Sequence, residues 1–221
     1  MSIAKKLNQW FIQPIIKRRI SSASVYEHNG IKLHIPAGVF HPKYFFSTQY
    51  LLNTIQQLDL KNKSLLELGA GNGLISISAA KLGAVVTSSD ISEKVISNLK
   101  INALTNNCQI TCVHSDLFDN IPIQHFDIIA INPPYYPKQP RNELEMAWYC
   151  GPDFEYFRKL FPQLVSFLSP STLTLMILSE ECEIEKIRLI AQQSGLDLQS
   201  YSQKKIKWEQ NFIFSIHKIN I

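Results

Sequence analysis

From Ser64 onward the chain alternates short apolar runs with longer stretches whose apolar residues recur at helical spacing. The runs are SLLEL (64–68), AVVTSS (84–89), QITCV (109–113), FDIIAI (126–131) and TLTLMIL (172–178). Between them lie NGLISISAAKL (72–82), SEKVISNLKINAL (92–104), DFEYFRKLFPQLVSFL (153–168) and ECEIEKIRLIAQQSG (181–195). Runs of four to eight apolar residues bounded by turn signals read as buried strands, and the intervening periodicity reads as helices. Such alternation builds a parallel sheet covered on both faces. Two further strand-like runs, DLQSYSQ (197–203) and NFIFSIHKI (211–219), follow each other with no helix between them. The expectation is five βα units closed by a hairpin: an α/β, doubly wound, mostly parallel seven-stranded sheet. Upstream, VYEHNGIKLHI (25–35) carries Asn29-Gly30 between alternating runs, the signal of a tight hairpin. That hairpin marks the expected boundary, with an N-terminal extension over 1–40 and one domain over 41–221.

Charge changes the picture only at the N-terminus. The chain of 221 residues carries a formal net charge of +4. Lys5, Lys6, Lys17, Arg18 and Arg19 stand in residues 1–26, where there is no acid, so the remainder is close to neutral. Any electrostatic footprint for RNA or another anionic surface is confined to this extension. The same residues fit an amphipathic helix that packs Leu7, Trp10, Phe11 and Ile15 on the domain with its lysines solvated. An acid-poor mitochondrial presequence is a third reading. No run of 18 apolar residues suggests a membrane span, and no apolar stretch with a small-residue cleavage site suggests secretion. Cys108, Cys112, Cys150 and Cys182 show neither CxxC pairing nor zinc spacing and read as reduced thiols of a cytoplasmic protein.

Ligands of doubly wound folds bind at the carboxyl ends of the strands, so those ends were read in order. The first is Glu67-Leu68-Gly69-Ala70-Gly71-Asn72-Gly73, where glycines let the backbone turn sharply and approach a ligand. A nicotinamide fingerprint would place its third glycine at position 74, which is Leu74 here. The second strand ends in Asp90, placed to accept both hydroxyls of a ribose; with Ser92 it also precedes a helix, so a capping role is equally open. The third ends in VHSDLFD, whose Asp116 can accept from the amine of an adenine or serve as an ordinary turn residue. Together the three ends suggest an adenosine site. The fourth runs into Asn132-Pro133-Pro134-Tyr135. Pro133 confines Asn132 to an extended conformation, so the Asn132 amide and the Pro133 carbonyl can present two acceptors to one point. A planar NH2 group held there would donate both hydrogens, with the Tyr135 ring against its plane. No metal cluster is expected, and His114 and His125 read as surface or turn residues.

LLELGAGNGLISI, Asp90, Asp116 and INPPYY together resemble the class I S-adenosylmethionine-dependent methyltransferases, in their amino-methylating branch with an NPPY motif. The resemblance covers roughly residues 40–221 and implies a Rossmann-like fold and S-adenosylmethionine as cofactor. By it, Glu67 would sit beside the methionine part of the cofactor, with Gly69 and Gly71 allowing close backbone approach. Asp90 would take the ribose, and Asp116 with Leu117 the adenine. Asn132 and Pro133 would accept the hydrogens of the attacking nitrogen, beside Tyr135. GVFHPKYFFSTQYLL (38–52) occupies the place of the family's cofactor-covering motif, with Ser47 or Thr48 where relatives carry an acid, which implies cofactor contact at Ser47. EMAWYCGPDFEYFRKL (145–160) is similar to the stretch after NPPY in HemK-type glutamine methyltransferases, although it has one glycine, Gly151, where those have more. The double tyrosine of NPPYY is also similar to a tRNA-adenine group. The implied acceptor is a glutamine exposed on a protein, with adenine N6 in RNA or DNA as the alternative. A non-catalytic module that binds cofactor or RNA is the reading from a different class.

Overall fold

The structure, a computed structural model, describes residues 22–39, 41–44, 46–206 and 209–219. The basic segment with Leu7, Trp10, Phe11 and Ile15 lies outside the described residues. The chain enters through a hairpin of β1 (Ser24–His28) and β2 (Ile31–Ile35). Asn29 and Gly30 both have positive φ, 48° and 75°, which is the conformation a two-residue hairpin turn requires. After a 3-10 turn at Pro42–Tyr44 comes α1 (Phe46–Gln56). Its Leu51, Leu52 and Ile55 are fully buried. This helix was not among those expected from the sequence.

The sheet follows the expected runs: β3 (Ser64–Leu68), β4 (Val85–Asp90), β5 (Ile110–His114), β6 (Ile128–Ile131), β7 (Leu173–Ser179), β8 (Leu196–Ile206) and β9 (Glu209–Lys218). Helices α2 (Leu74–Lys81), α3 (Glu93–Thr105), α4 (Glu155–Leu164) and α5 (Ile184–Gln193) fall where the periodicity placed them. Strand order is β5-β4-β3-β6-β7-β9-β8. The first five strands are parallel, and β9 inserts antiparallel between β7 and β8. The five expected βα units become four, because residues 115–127 join β5 to β6 without a helix. That segment contains Pro122, which disfavours a helix, and its Phe118, Ile121 and Phe126 drop into the core from turns and loop backbone.

Central strands are buried on both faces, which is why their sequences read as continuous apolar runs. On one face Leu66, Leu68, Ile129, Ile131, Met176 and Leu178 pack against Phe157, Phe161 and Leu164 of α4 and Ile187 of α5. On the other, Leu65, Ile128, Leu175 and Ile177 meet α1, α2 and the inward residues of β2. Strand β2 is held by side chains as well as by β1. Asn102 Oδ1 accepts from the His34 amide at 2.8 Å and Asn106 Oδ1 from the Lys32 amide at 3.0 Å. In return Asn98 and Asn102 donate to the His34 carbonyl and Asn106 to the Lys32 carbonyl. These asparagines recur every four residues and so share one face of α3. Chain direction diverges between β3 and β6, and the clefts above that point are where such folds bind ligands.

Candidate active site

Parallel register brings the predicted strand ends side by side, since Leu68 pairs with Ile131 and Ser89. The glycine-rich turn therefore stands between Asp90 and Asn132. Gly69, Gly71 and Gly73 all have positive φ, 72°, 54° and 81°. A Cβ added at Gly69 or Gly71 would meet no atom within 4 Å, whereas at Gly73 it would lie 2.1 Å from Leu99 Cδ1. The first two glycines leave open space over the turn; the third lets α2 pack against α3. The turn is fixed from β4: the Gly69 and Ala70 amides donate to the Ser89 carbonyl at 2.9 and 2.8 Å. The Gly71 amide donates to Asp90 Oδ2 at 3.0 Å.

Asp90 Oδ1 accepts from the Ser92 amide at 3.0 Å, while Ser92 itself caps α3. The capping alternative therefore applies to Ser92, and Asp90 braces the glycine turn. Burial raises the Asp90 pKa, opposed by the amides of Ser92 and Gly71. Glu67 points to the α2 face, where its Oε2 accepts from the Ser76 amide at 2.9 Å and from the Ser76 hydroxyl. Ser76 Oγ also lies 2.5 Å from Ser88 Oγ. Burial pushes the Glu67 pKa up to about 8, partly offset by Ser76 and reinforced by Asp90. The carboxyl is therefore mostly protonated at neutral pH.

Asp116 is held by Lys159 of α4, whose Nζ lies 2.6 Å from Asp116 Oδ2 and 2.6 Å from Asp119 Oδ2. One turn along α4, Gln163 donates to Asp119 and accepts from the Phe118 amide. Leu117, between these anchors, is buried with φ 53°. Tyr156 on the first turn of α4 lies in the field of both Asp90 and Asp116, and burial foremost raises its phenol pKa. No sequence signal distinguished it from the core aromatics beside it.

Beyond β6, Pro133 and Pro134 are buried and the loop is pinned by residues 148–150. The amides of Tyr135 and Tyr136 donate to the Trp148 carbonyl at 3.1 and 2.9 Å, and the Cys150 amide to the Tyr136 carbonyl at 2.9 Å. Tyr136 also donates to Glu181. Asn132 Nδ2 donates to Thr48 Oγ1 at 3.2 Å, and its Oδ1 accepts from the Tyr135 hydroxyl at 3.2 Å. Burial raises the Tyr135 pKa well above its ordinary value, so the phenol keeps its proton, and Ser47 beside it opposes the shift. Ser47 and Thr48, on the first turn of α1, thus reach the NPPY loop. Cys150 and Cys182 are buried free thiols pushed up to about 12 chiefly by burial, and they are poor nucleophiles. His114 and His125 are close to half exposed. Among the described residues no helix is long and apolar enough to cross a membrane.

Residues 30–148, more than half of the chain, match the family described as the methyltransferase small domain. The chain belongs to that family. The glycine-rich turn and the NPPY loop point to the same family. A Methanocaldococcus jannaschii protein named as a protein N5-glutamine methyltransferase is 40% identical over 114 residues. That match covers 51% of this chain and 55% of the relative, so the chain spans about half of that relative's length. Among solved structures, the E. cuniculi Mtq2-Trm112 complex, responsible for methylation of the eRF1 termination factor, superimposes with a TM-score of 0.58. It is 22% identical and covers 82% of this chain and 99% of that one. The T. thermophilus 16S rRNA N2 G1207 methyltransferase, in complex with AdoMet and guanosine, gives a TM-score of 0.62 at 18% identity. It covers 87% of this chain and 50% of that one. At these identities the structures establish the fold: a doubly wound sheet of the Rossmann-like methyltransferase kind.

Proposed function

We propose that this methyltransferase transfers the methyl group of S-adenosylmethionine to the side-chain amide nitrogen of a glutamine in a protein substrate. The observation that carries the reading is the Asn132 amide, tethered at both ends beside the open glycine turn. The glutamine-methyltransferase relative supports the protein acceptor.

The residues present fit the cofactor. Gly69 and Gly71 leave a space that a Cβ would fill, and the half-buried Asp90 carboxylate stands at its edge. In our reading the glycine-turn backbone and Asp90 hold the cofactor's ribose side. Asp116 and Leu117 hold its adenine, Glu67 stands beside its methionine part, and Ser47 closes over it from α1. Bound S-adenosylmethionine supplies an electrophilic methyl on sulfur. Asn132 Oδ1 and the Pro133 carbonyl accept the two hydrogens of the glutamine NH2 and orient its lone pair. Tyr135 supplies an apolar wall against the amide plane and, through its hydroxyl, holds Asn132. One N–H proton leaves to solvent as the new N–C bond forms and the methyl–sulfur bond breaks, its electron pair staying on the departing thioether, and because the nitrogen becomes acidic only then, no strong base is required. The acceleration comes from positioning and from fixed dipoles.

Adenine N6 presents the same planar NH2, and the basic residues 1–26 favour a nucleic-acid acceptor. Tritiated S-adenosylmethionine and a lysate of cells lacking the protein separate the two. Label removed by protease alone supports glutamine, and label removed by a nuclease refutes it. Asn132→Ala is expected to abolish transfer while S-adenosylmethionine still raises the melting temperature. Turnover near the wild-type level in that variant would refute the cradle.

A further inference from the structure

We infer that Thr48 is a positioning residue that fixes which end of the Asn132 amide faces the methyl acceptor. The inference rests on the reading of Asn132 as the acceptor cradle and names a residue that reading does not need. A carboxamide has two ends of nearly equal size and opposite polarity, so its orientation must be set by partners. Only the oxygen can receive a hydrogen from an acceptor NH2; the amide turned over would present its own NH2 and repel it.

Both ends of Asn132 are assigned. Nδ2 donates to Thr48 Oγ1 at 3.2 Å, and Oδ1 accepts from the Tyr135 hydroxyl at 3.2 Å. A carbonyl oxygen has two lone pairs, so the bond from Tyr135 leaves one for the acceptor. The nitrogen end is the one that must be kept away, and Thr48 is the group that holds it. Thr48 is 6% exposed, so its hydroxyl pairs within the protein or is left unmet at considerable cost. Ser47, its neighbour on the first turn of α1, is 7% exposed and stands beside the Tyr135 hydroxyl. The two hydroxyls that bond the amide therefore meet its opposite ends, Thr48 at the nitrogen and Tyr135 at the oxygen.

The test compares Thr48→Val, which keeps the shape and removes the hydroxyl, with Thr48→Ser, which keeps the hydroxyl. Three readouts are taken: methyl transfer from tritiated S-adenosylmethionine to lysate of cells lacking the protein, affinity for S-adenosylmethionine, and hydrogen exchange of the Asn132 side-chain NH2 by NMR. The expected result for Thr48→Val is a loss of transfer of roughly 10- to 100-fold, as for other misplacements of a reacting group. Cofactor affinity should stay within about two-fold, and Asn132 NH2 exchange should speed up; Thr48→Ser should restore both transfer and protection. Wild-type transfer by Thr48→Val, equal losses in both variants, or a parallel loss of cofactor affinity would overturn the role. The exchange readout needs no acceptor: if wild-type protein modifies nothing, the proposed function fails while the positioning claim stands or falls on exchange alone. Unchanged exchange in Thr48→Val refutes it.

Discussion

Gly71 and Gly73 sit two residues apart in one turn, yet alanine should damage them in opposite ways. At Gly73 two penalties combine. The left-handed φ of 81° costs a non-glycine residue about 1–2 kcal/mol. The new methyl would also lie 2.1 Å from Leu99 Cδ1, and Leu99 is completely buried, so the clash must be relieved by overpacking at about 1–3 kcal/mol. Gly73→Ala should therefore lose about 2–5 kcal/mol in urea unfolding. At Gly71 the φ is 54° and the Cβ meets nothing, so Gly71→Ala should lose only about 1–2 kcal/mol. That same Cβ fills the space assigned to the cofactor, and S-adenosylmethionine affinity should fall at least ten-fold. A double-mutant cycle isolates the clash. Leu99→Ala alone should cost about 2–5 kcal/mol as a buried truncation, but combined with Gly73→Ala it should cost less than the sum by at least about 1 kcal/mol. Strict additivity would refute the packing role of Gly73. Undiminished cofactor binding by Gly71→Ala would refute the account of the open turn.

Two further expectations concern pH. Glu67 is raised from 4.5 to about 8, so wild-type protein is favoured at low pH and loses stability as pH climbs between those values, by at most about 1.4 kcal/mol per unit. Glu67→Gln keeps an oxygen for Ser76 and removes the titration, so its stability relative to wild type should improve from pH 5.5 to 8 and level off above; a flat difference in chemical denaturation would contradict this. Asp127 is the opposite case: the Ser64 amide, the Ser64 hydroxyl and Lys63 lower it to about 2. Asp127→Ala should cost about 1 kcal/mol near pH 7, a modest figure because the pair is partly solvated, and the deficit should shrink as pH falls from about 4 to 2. A deficit unchanged at pH 2.5 would assign Asp127 a purely steric role.

The seven strand runs, the four helices between them and the Asn29-Gly30 turn were legible because each depends on local period or turn chemistry. Other features depend on what the chain meets far away. Helix α1 was hidden in FSTQYLLNTIQ (46–56), where Leu51, Leu52 and Ile55 acquire a buried face against β7 and α2. Asn98, Asn102 and Asn106 carry no motif in the sequence, yet they supply the hydrogen bonds that β2 finds on that side. Positions of Asp90 and Asn132 followed from strand ends. Their partners did not, because Gly71 reaches Asp90 across a strand pair and Thr48 reaches Asn132 across 84 positions of sequence. Glu67 was legible as a buried acid in a motif, whereas Ser76, which holds it, looked like any small polar residue of a helix. Asp116 was legible as a strand-end acid, and the lysine that orients it lies on α4 with no motif around it.

The two halves of the site share a dependence that the strand pattern does not show. Asn102 bonds the His34 backbone of β2 through both ends of its amide and also donates to the Asn72 carbonyl of the glycine turn at 3.2 Å. Thr48 of α1 holds Asn132. Elements that precede the sheet in sequence therefore brace the cofactor turn through Asn102 and the acceptor loop through Thr48. The first contact is buried and the second part-buried, and a turn or loop at a strand end has few packing contacts of its own to fix it. Geometry at the site is thus set by residues 31–56 as much as by the sheet that carries the motifs. A sequence match confined to the strand ends would identify the chemistry and miss what holds it in place.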